Sequence, residues 1–426
     1  MSEKFIINGG KPLEGEIEVK GAKNAAFPLI VASLLTKEEC VIDNLPLIED
    51  VFRLLEIVKE MGAEVSWIGE RKVKIKAKNL NPSMIRSDLV KIFRGSVLLV
   101  GPILARFGKL NLPQPGGCII GARPINTHLN AFRQLGVKII PHNNHFEFEI
   151  KEKPKDRKII LDEFSVTTTE NVLLFASSIP VTTVIKIADA DYQVQELAKF
   201  LRKMGVKIKG AGTHTIIIKG RKKLKGVRHK LMYDPIEAGT FILMAAATRG
   251  NVLVKNVEIE YLEFFLHKLK NIGLPFEISN IHGRSAILVK PWKYLKIDKI
   301  QSLPYPGLPT DLQSAFGVLA TLTKGSTLIH DPLYEGRLKY LEELNKMGAE
   351  IYFADPHRAI INGPTQLYGR ELGTFDLRGG AALIVAGLIA KGRTVVDNIY
   401  QIDRGYEKIE ERLQKIGADI KRVKDK

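Results

Sequence analysis

The chain has 426 residues, 45% of them hydrophobic and 26% charged, with a formal net charge of +17. That length is too great for one core and suits two, and the composition is that of a globular protein, not of a disordered or fibrous one. No apolar run approaches the roughly 20 residues of a membrane span, the opening Met1-Ser2-Glu3-Lys4-Phe5 lacks the apolar core of a signal peptide, and two cysteines, Cys40 and Cys118, make neither a disulfide framework nor a zinc spacing. A cytoplasmic protein is expected.

Taken in chain order, the predicted elements repeat six times. The first strand is Phe5-Ile6-Ile7-Asn8-Gly9. An apolar helix at Pro28 to Leu35 follows, then a strand at Val41 to Asp43. A second helix ends in Lys59-Glu60-Met61-Gly62, with a strand at once behind it. The same order recurs with apolar helices at Ser96 to Ala105, Asn171 to Ser177, Thr240 to Ala247, Ala315 to Leu322 and Ala381 to Ala390. Strands are expected after each, at Lys109 to Asn111, Val184 to Lys186, Val252 to Val254, Thr327 to Ile329 and Val395 to Asp397. The remaining helix tails close on Gly136, Gly205, Gly273, Gly348 and Gly417. Glycine there supplies the left-handed residue that stops a helix. From Gly62 to Gly417 the mean period is about 71 residues, long enough for a whole α/β unit.

The apolar helices are hydrophobic nearly all round, which marks them as buried. The sixth unit lacks its last hairpin strand, and the first strand of the chain is a candidate to supply it. The expected organisation is two α/β domains of three βαβαββ repeats. One comprises residues 1–21 and 233–426, the other residues 22–232, with the chain crossing near Lys20-Gly21-Ala22 and Leu231-Met232-Tyr233.

The positive charge has two readings. Runs such as Arg221-Lys222-Lys223-Leu224-Lys225 read as solvated surface. The sharper reading is a nucleic acid or a small polyanionic substrate. Aromatics are not interleaved with the basic residues, which disfavours base stacking. No P-loop, dinucleotide fingerprint or His-Glu-x-x-His occurs, and His142 and His145 share a loop without a metal spacing. No cofactor, metal, nucleic acid, membrane or obligate protein partner is expected.

Four loops depart from their siblings in the repeat. Lys20 to Ala25 places Lys23 and Asn24 at a helix start, where free N–H groups and a lysine favour an anion. Pro113 to Pro124 holds Cys118 between a glycine pair and Arg123; a cationic setting activates a thiol, and the plainer reading is an inert small apolar side chain. Leu303 to Asp311 brings Asp311 to a helix start, where the plainer reading is an N-cap. Asp376-Leu377-Arg378 and Asp403-Arg404 set an arginine beside an aspartate at a helix entrance, where surface ion pairing is the plainer reading. If these loops face one cleft, Lys23, Arg94, Arg123, Arg337, Arg378 and Arg404 line it with one thiol and two carboxylates. Guanidinium groups grip phosphate and carboxylate in bidentate fashion.

At these residues the chain resembles the UDP-N-acetylglucosamine 1-carboxyvinyltransferases, a family of enolpyruvyl transferases. The likeness runs from Phe5 to Lys424 and rests on Lys20 to Ala25, Pro115 to Pro124, Pro304 to Gln313, Asp376-Leu377-Arg378 and Ile402 to Glu407. It implies an inside-out arrangement of both α/β domains. It implies enolpyruvyl transfer from phosphoenolpyruvate to the 3′-hydroxyl of UDP-N-acetylglucosamine, the first committed step of peptidoglycan synthesis. Phosphoenolpyruvate would be held by Lys23, Arg123 and Arg404, with Arg94 and Arg378 nearby. Asp311 would be the base, Cys118 the acid and possible covalent partner, and Asp376 would steer the proton and orient Arg404. Asn24 and Asp311 would contact the sugar.

On the acceptor-nucleotide side the resemblance points to Pro124, Asn126, His128, Ser165, Val166 and Thr167, and here the chain departs from the family. Asn126 stands in place of an acid, Thr167-Thr168 in place of Gly-Ala, and Ala190-Asp191-Tyr192-Gln193 in place of Arg-Glu-Pro-Glu. One alternative is therefore a paralogous enolpyruvyl transferase for another nucleotide or sugar nucleotide. The shikimate 3-phosphate enzyme is disfavoured by the Cys118 loop. An alternative of another class is an RNA-end-processing or nucleic-acid-binding protein of related repeat fold.

Overall fold

The computed structural model describes residues 3–92, 94–116, 124–152 and 155–424. They fall into two compact units, one running to Lys20 and resuming at Tyr233, the other from Gly21 to Met232. Each unit buries three helices from successive repeats. In the first these are Pro235–Ala247, Thr310–Ala320 and Leu377–Ile389, and every residue of Pro235–Ala247 is buried. In the second they are Lys23–Ala32, Val100–Phe107 and Val166–Ser177. Apart from Val100–Phe107, whose end at Arg106 and Phe107 reaches the surface, they are apolar nearly all round, so sheets and outer helices cover them.

All six tail glycines take the left-handed conformation, with φ from 84° at Gly136 to 100° at Gly205 and Gly348. A side chain there would be strained, and the glycine frees the chain to turn from helix to strand.

Each sheet repeats one plan. A leading strand pairs parallel with the strand after the buried helix, and a hairpin completes the sheet antiparallel. The second repeat differs. Its sheet has three strands, Lys109–Pro113, His145–Ile150 and Val137–Pro141. Where its siblings have a leading strand it forms a 3₁₀ turn at Pro82–Met84 and a helix at Ser87–Ile92. Pro82 has no N–H for a ladder, and the Asn81 side chain accepts from Ser83 N, so this sequence favours a turn.

The leading strands of the first and fourth repeats are exchanged. Glu14–Glu18 precedes the Lys23–Ala32 helix but pairs with Asn251–Lys255. Arg228–Lys230 precedes Pro235–Ala247 but pairs with Glu39–Asp43. A buried glutamate holds the backbone at each passage: Glu237 Oε2 accepts from Lys20 N at 2.7 Å, and Glu196 Oε1 from Met232 N at 3.1 Å. The N-terminal strand Glu3–Asn8 lies between Arg393–Asp397 and Asp419–Lys424, antiparallel to both. Among the described residues no helix is long and apolar enough to cross a membrane.

Candidate active site

The unit that resumes at Tyr233 carries a buried ionic network at the entrances of two adjacent core helices. Asp311 is the second residue of Thr310–Ala320, and the cap position is Pro309. The N-cap reading of Asp311 is thereby corrected. Pro309 and Thr310 carry the chain into the helix and turn the carboxylate toward two arginines instead. Its Oδ1 accepts from Arg337 Nη2 and its Oδ2 from Arg378 Nε, each at 3.0 Å.

Arg337 is spent on this network. Its Nε donates to Thr310 Oγ1 at 3.1 Å, and its Nη1 to Asp376 Oδ1 at 3.3 Å. Burial opposes its charge, but Asp311, Asp376 and Asp331 outweigh that and raise its pKa. It therefore positions two carboxylates and offers little to a substrate. Asp376 caps Leu377–Ile389, its Oδ1 accepting from Arg378 N and Gly379 N at 3.0 Å each. The expectation that Asp376 orients Arg404 is corrected: its bonded partners are Arg337 and the helix N–H groups, because a cap oxygen must face its own helix. Arg404 donates to Gln401 Oε1 at 3.1 Å.

Arg404 follows the short helix Tyr400–Asp403 and so stands at an exit, not an entrance. Asp403 pairs with Arg422 at 2.7 Å and not with its neighbour.

Arg378 is different. It is buried, with its Cζ 5.2 Å from the Tyr406 ring centroid, and Asp311 takes its Nε. Its two terminal nitrogens are shut from solvent and form no well-aligned hydrogen bond, with the Tyr406 hydroxyl the near acceptor. Burial opposes its charge, yet Tyr406, Asp311 and Asp234 hold its pKa well above the ordinary guanidinium range. A charged donor pair without well-aligned acceptors costs free energy unless an anion completes it. The surface ion-pair reading of Asp376 and Arg378 is overturned by their burial.

In the unit from Gly21 to Met232, Lys23 opens its helix and is buried, with Nζ 2.9 Å from Asp50 Oδ2. Asn24 beside it is half-buried. The sequence reading missed Asp50, which lies in the first turn of the next helix, Glu49–Glu60, where an acid reads as an ordinary dipole partner. Arg94 donates from Nη2 to Pro124 O at 3.0 Å. Cys118 and Arg123 lie outside the described residues.

Asn126 is exposed at the start of helix Asn126–Gln134, and Pro124 is exposed just before it. Ser165 caps Val166–Ser177, accepting from Thr168 N at 3.4 Å, and Val166 and Thr167 are half-buried. His128 is 3% exposed, and both ring nitrogens are taken by protein, Nε2 by Thr167 Oγ1 and Nδ1 by Asn171 Nδ2, each at 3.1 Å. Its ring nitrogens are thus both engaged within the protein. Asn171 was also missed, because an Asn inside an apolar helix gives no local sign of a partner 43 residues away.

No group of three or more His, Cys, Asp or Glu among the described residues is arranged to hold a metal ion. Within its own unit the network offers a carboxylate and a buried guanidinium group, a set suited to a small anion.

The fold is that of the enolpyruvyl transferases. The enolpyruvyl transferase NikO from Streptomyces tendae superposes with a TM-score of 0.89 at 22% identity, covering 100% of both chains. An EPSP synthase from Acinetobacter baumannii superposes at 0.76 with 18% identity, again over 100% of both. Residues 7–413 match the family model of EPSP synthase (3-phosphoshikimate 1-carboxyvinyltransferase), and the chain belongs to that enolpyruvyl transferase family. Relatives within it are closer in sequence. UDP-N-acetylglucosamine 1-carboxyvinyltransferase 1 of Caldanaerobacter subterraneus subsp. tengcongensis is 42% identical over 423 residues, 99% of this chain and 100% of that protein. UDP-N-acetylglucosamine 1-carboxyvinyltransferase 2 of Clostridium tetani is 41% identical over 421 residues, 99% and 100% respectively.

Proposed function

We propose that this chain transfers the enolpyruvyl group of phosphoenolpyruvate to the 3′-hydroxyl of UDP-N-acetylglucosamine, releasing phosphate, and so opens peptidoglycan synthesis in the cytoplasm. The observation that carries the reading is Arg378, buried beside Asp311 with two terminal nitrogens that form no well-aligned hydrogen bond to protein. Full-length relatives at about 40% identity bear the name of this activity. The roles follow from that likeness. Lys23, Arg123 and Arg404 bind the phosphate and carboxylate of phosphoenolpyruvate, with Arg94 and Arg378 in support. Asp311 takes the proton of the attacking hydroxyl as its oxygen bonds to C2. Cys118 gives a proton to C3. The tetrahedral ketal then returns a C3 proton and expels phosphate, leaving the enol ether. Arg337 holds Asp311 and Asp376 in place.

A second reading has one observation in its favour. On the acceptor-nucleotide side Thr127 Oγ1 donates to the exposed Glu163 carboxylate at 2.9 Å, beside Asn126. An exposed acid where a polyanion is to bind favours a paralogous enolpyruvyl transferase with another nucleotide acceptor. The deciding experiment measures phosphate release from phosphoenolpyruvate across UDP-N-acetylglucosamine, other UDP-sugars, UMP and shikimate 3-phosphate. Saturable turnover with UDP-N-acetylglucosamine is expected. Turnover with another acceptor alone promotes the second reading.

A further inference from the structure

Strand register gathers lysines that are scattered along the sequence. The sheet of the third repeat runs Lys207–Lys209, Thr215–Lys219, Thr182–Lys186, Arg157–Ile160. Alternate side chains, among them Ile208, Ile218, Ile185 and Ile159, are buried, so the others face outward. The pairing sets the outward rows. Lys207 stands opposite Lys219, and Lys219 opposite Thr182. The next row is Lys209, Ile217, Val184 and Lys158. The last is Thr215, Lys186 and Ile160. Five of these ten positions are lysine, and none is acidic or aromatic. Lys186 donates to Thr215 Oγ1 at 3.1 Å, and among the described residues no ion pair joins any of the five to a carboxylate. Ile160 is 52% exposed and Ile217 41%. The chain leaves Lys219 into the exposed run Arg221-Lys222-Lys223, which extends the charge along the rim. Also at the rim, Asp156 is turned to Thr182 N, accepting at 2.6 Å. The other sheets of this unit carry counter-ions. In the first repeat Asp43 pairs with Lys72 at 2.9 Å and Glu39 with Lys74 at 3.8 Å. In the second, Glu149 lies in register between Lys109 and Lys138. Like charges directly opposite on a sheet repel, and Lys207 and Lys219 are so placed with no acid on their face to offset them.

We propose that this face docks peripherally on an anionic phospholipid bilayer. The argument is complementarity of charge and of surface. An anionic leaflet attracts clustered lysines, each worth about fivefold in partitioning. Lysine is a point charge on a flexible stem and needs no fixed partner geometry. The isoleucines between the lysines suit the same surface, because apolar side chains enter the acyl boundary while ammonium groups stay among the headgroups. Protein interfaces are enriched in arginine and aromatic residues and depleted in lysine, and this face has the reverse composition. Nucleic acid would find no aromatic side chain here to stack on. The sequence reading expected no membrane partner, because charge along a chain does not show which lysines share a face.

The test is co-sedimentation of the full chain with vesicles of phosphatidylcholine alone and of phosphatidylcholine mixed with phosphatidylglycerol. Binding to the mixed vesicles only is expected, weakening as salt is raised. The triple variant Lys207→Gln, Lys209→Gln, Lys219→Gln should lower partitioning on the order of a hundredfold, with the melting temperature unchanged. The control triple Lys74→Gln, Lys109→Gln, Lys138→Gln removes the same charge from positions that face carboxylates, and should lower it less than about tenfold. The pair Ile160→Ser, Ile217→Ser keeps every charge and should lower partitioning about tenfold or more. No sedimentation with mixed vesicles at low salt overturns the proposal. Equal loss in both triples overturns it too, since net charge and not this face then governs binding. Tighter binding of single-stranded RNA than of mixed vesicles, lost in the first triple, overturns it in favour of nucleic acid. None of these readouts uses phosphoenolpyruvate or its acceptor, so their outcome stands apart from the function proposed above.

Discussion

Replacing Asp311 by alanine removes the carboxylate shared by two buried guanidinium groups. Arg337 keeps Asp376 and Thr310, but Arg378 loses its ion pair and already has two nitrogens without a well-aligned acceptor. Breaking a buried pair from one side costs about 3–5 kcal/mol. The Asp311 side chain is 22% exposed, which admits some water and favours the lower end, about 3 kcal/mol. For a unit of roughly 200 residues that is a drop of about 6–12 °C in melting temperature. An N-cap alone would account for about 1 kcal/mol, or about 2–4 °C. Asp311→Asn keeps the shape and one acceptor oxygen, so a smaller drop is expected. Both variants should lose turnover by about 10²–10⁴ per folded molecule if Asp311 is the base. Thermal melting followed by circular dichroism, with phosphate release on the same samples, separates the two effects. An Asp311→Ala midpoint within about 4 °C of wild type would refute the bridging argument. Full turnover in Asp311→Asn would refute the base.

Lys23→Ala should raise the KM for phosphoenolpyruvate about ten- to a hundredfold and also lower stability by taking the lysine from the buried Asp50. Adding Asp50→Asn should restore the melting temperature and not the KM; recovery of both would make the pair purely structural. Fosfomycin or iodoacetamide should modify Cys118 and spare Cys40, whose buried thiol has its pKa pushed up to about 11. Equal labelling of both thiols by mass spectrometry would contradict this. His128 titrates at about 3 folded and 6.5 free, so below pH 6.5 the unfolded chain takes up a proton that the folded one refuses. Its contribution is complete above about 6.5 and is lost as pH falls toward 3, by about 2 kcal/mol at pH 5. Urea unfolding at pH 7 and pH 5 should show a shallower pH dependence in His128→Gln, and identical slopes would refute it.

Local physics made much of the fold legible in the amino-acid sequence. Left-handed glycines, helices apolar on every side and short β-branched strands each announce their own conformation. Repetition turned these signals into a six-unit plan. The sequence could not show that Pro82 to Ile92 forgoes a strand, since turn chemistry there competes with the repeat. The residue types of the site were also legible, because Asp311, Arg337, Asp376 and Arg378 stand at helix entrances or loops where chemistry gathers. Their roles were not. Whether Asp311 caps a helix or bridges two arginines depends on Arg337 and Arg378, which are 26 and 67 residues away. Tertiary packing decided that Arg337 is consumed by carboxylates while Arg378 keeps two nitrogens without a well-aligned acceptor. It also decided that His128 is neutral and bonded to Thr167. Burial and hydrogen-bond satisfaction belong to the surroundings of an atom, and those surroundings come from distant parts of the chain.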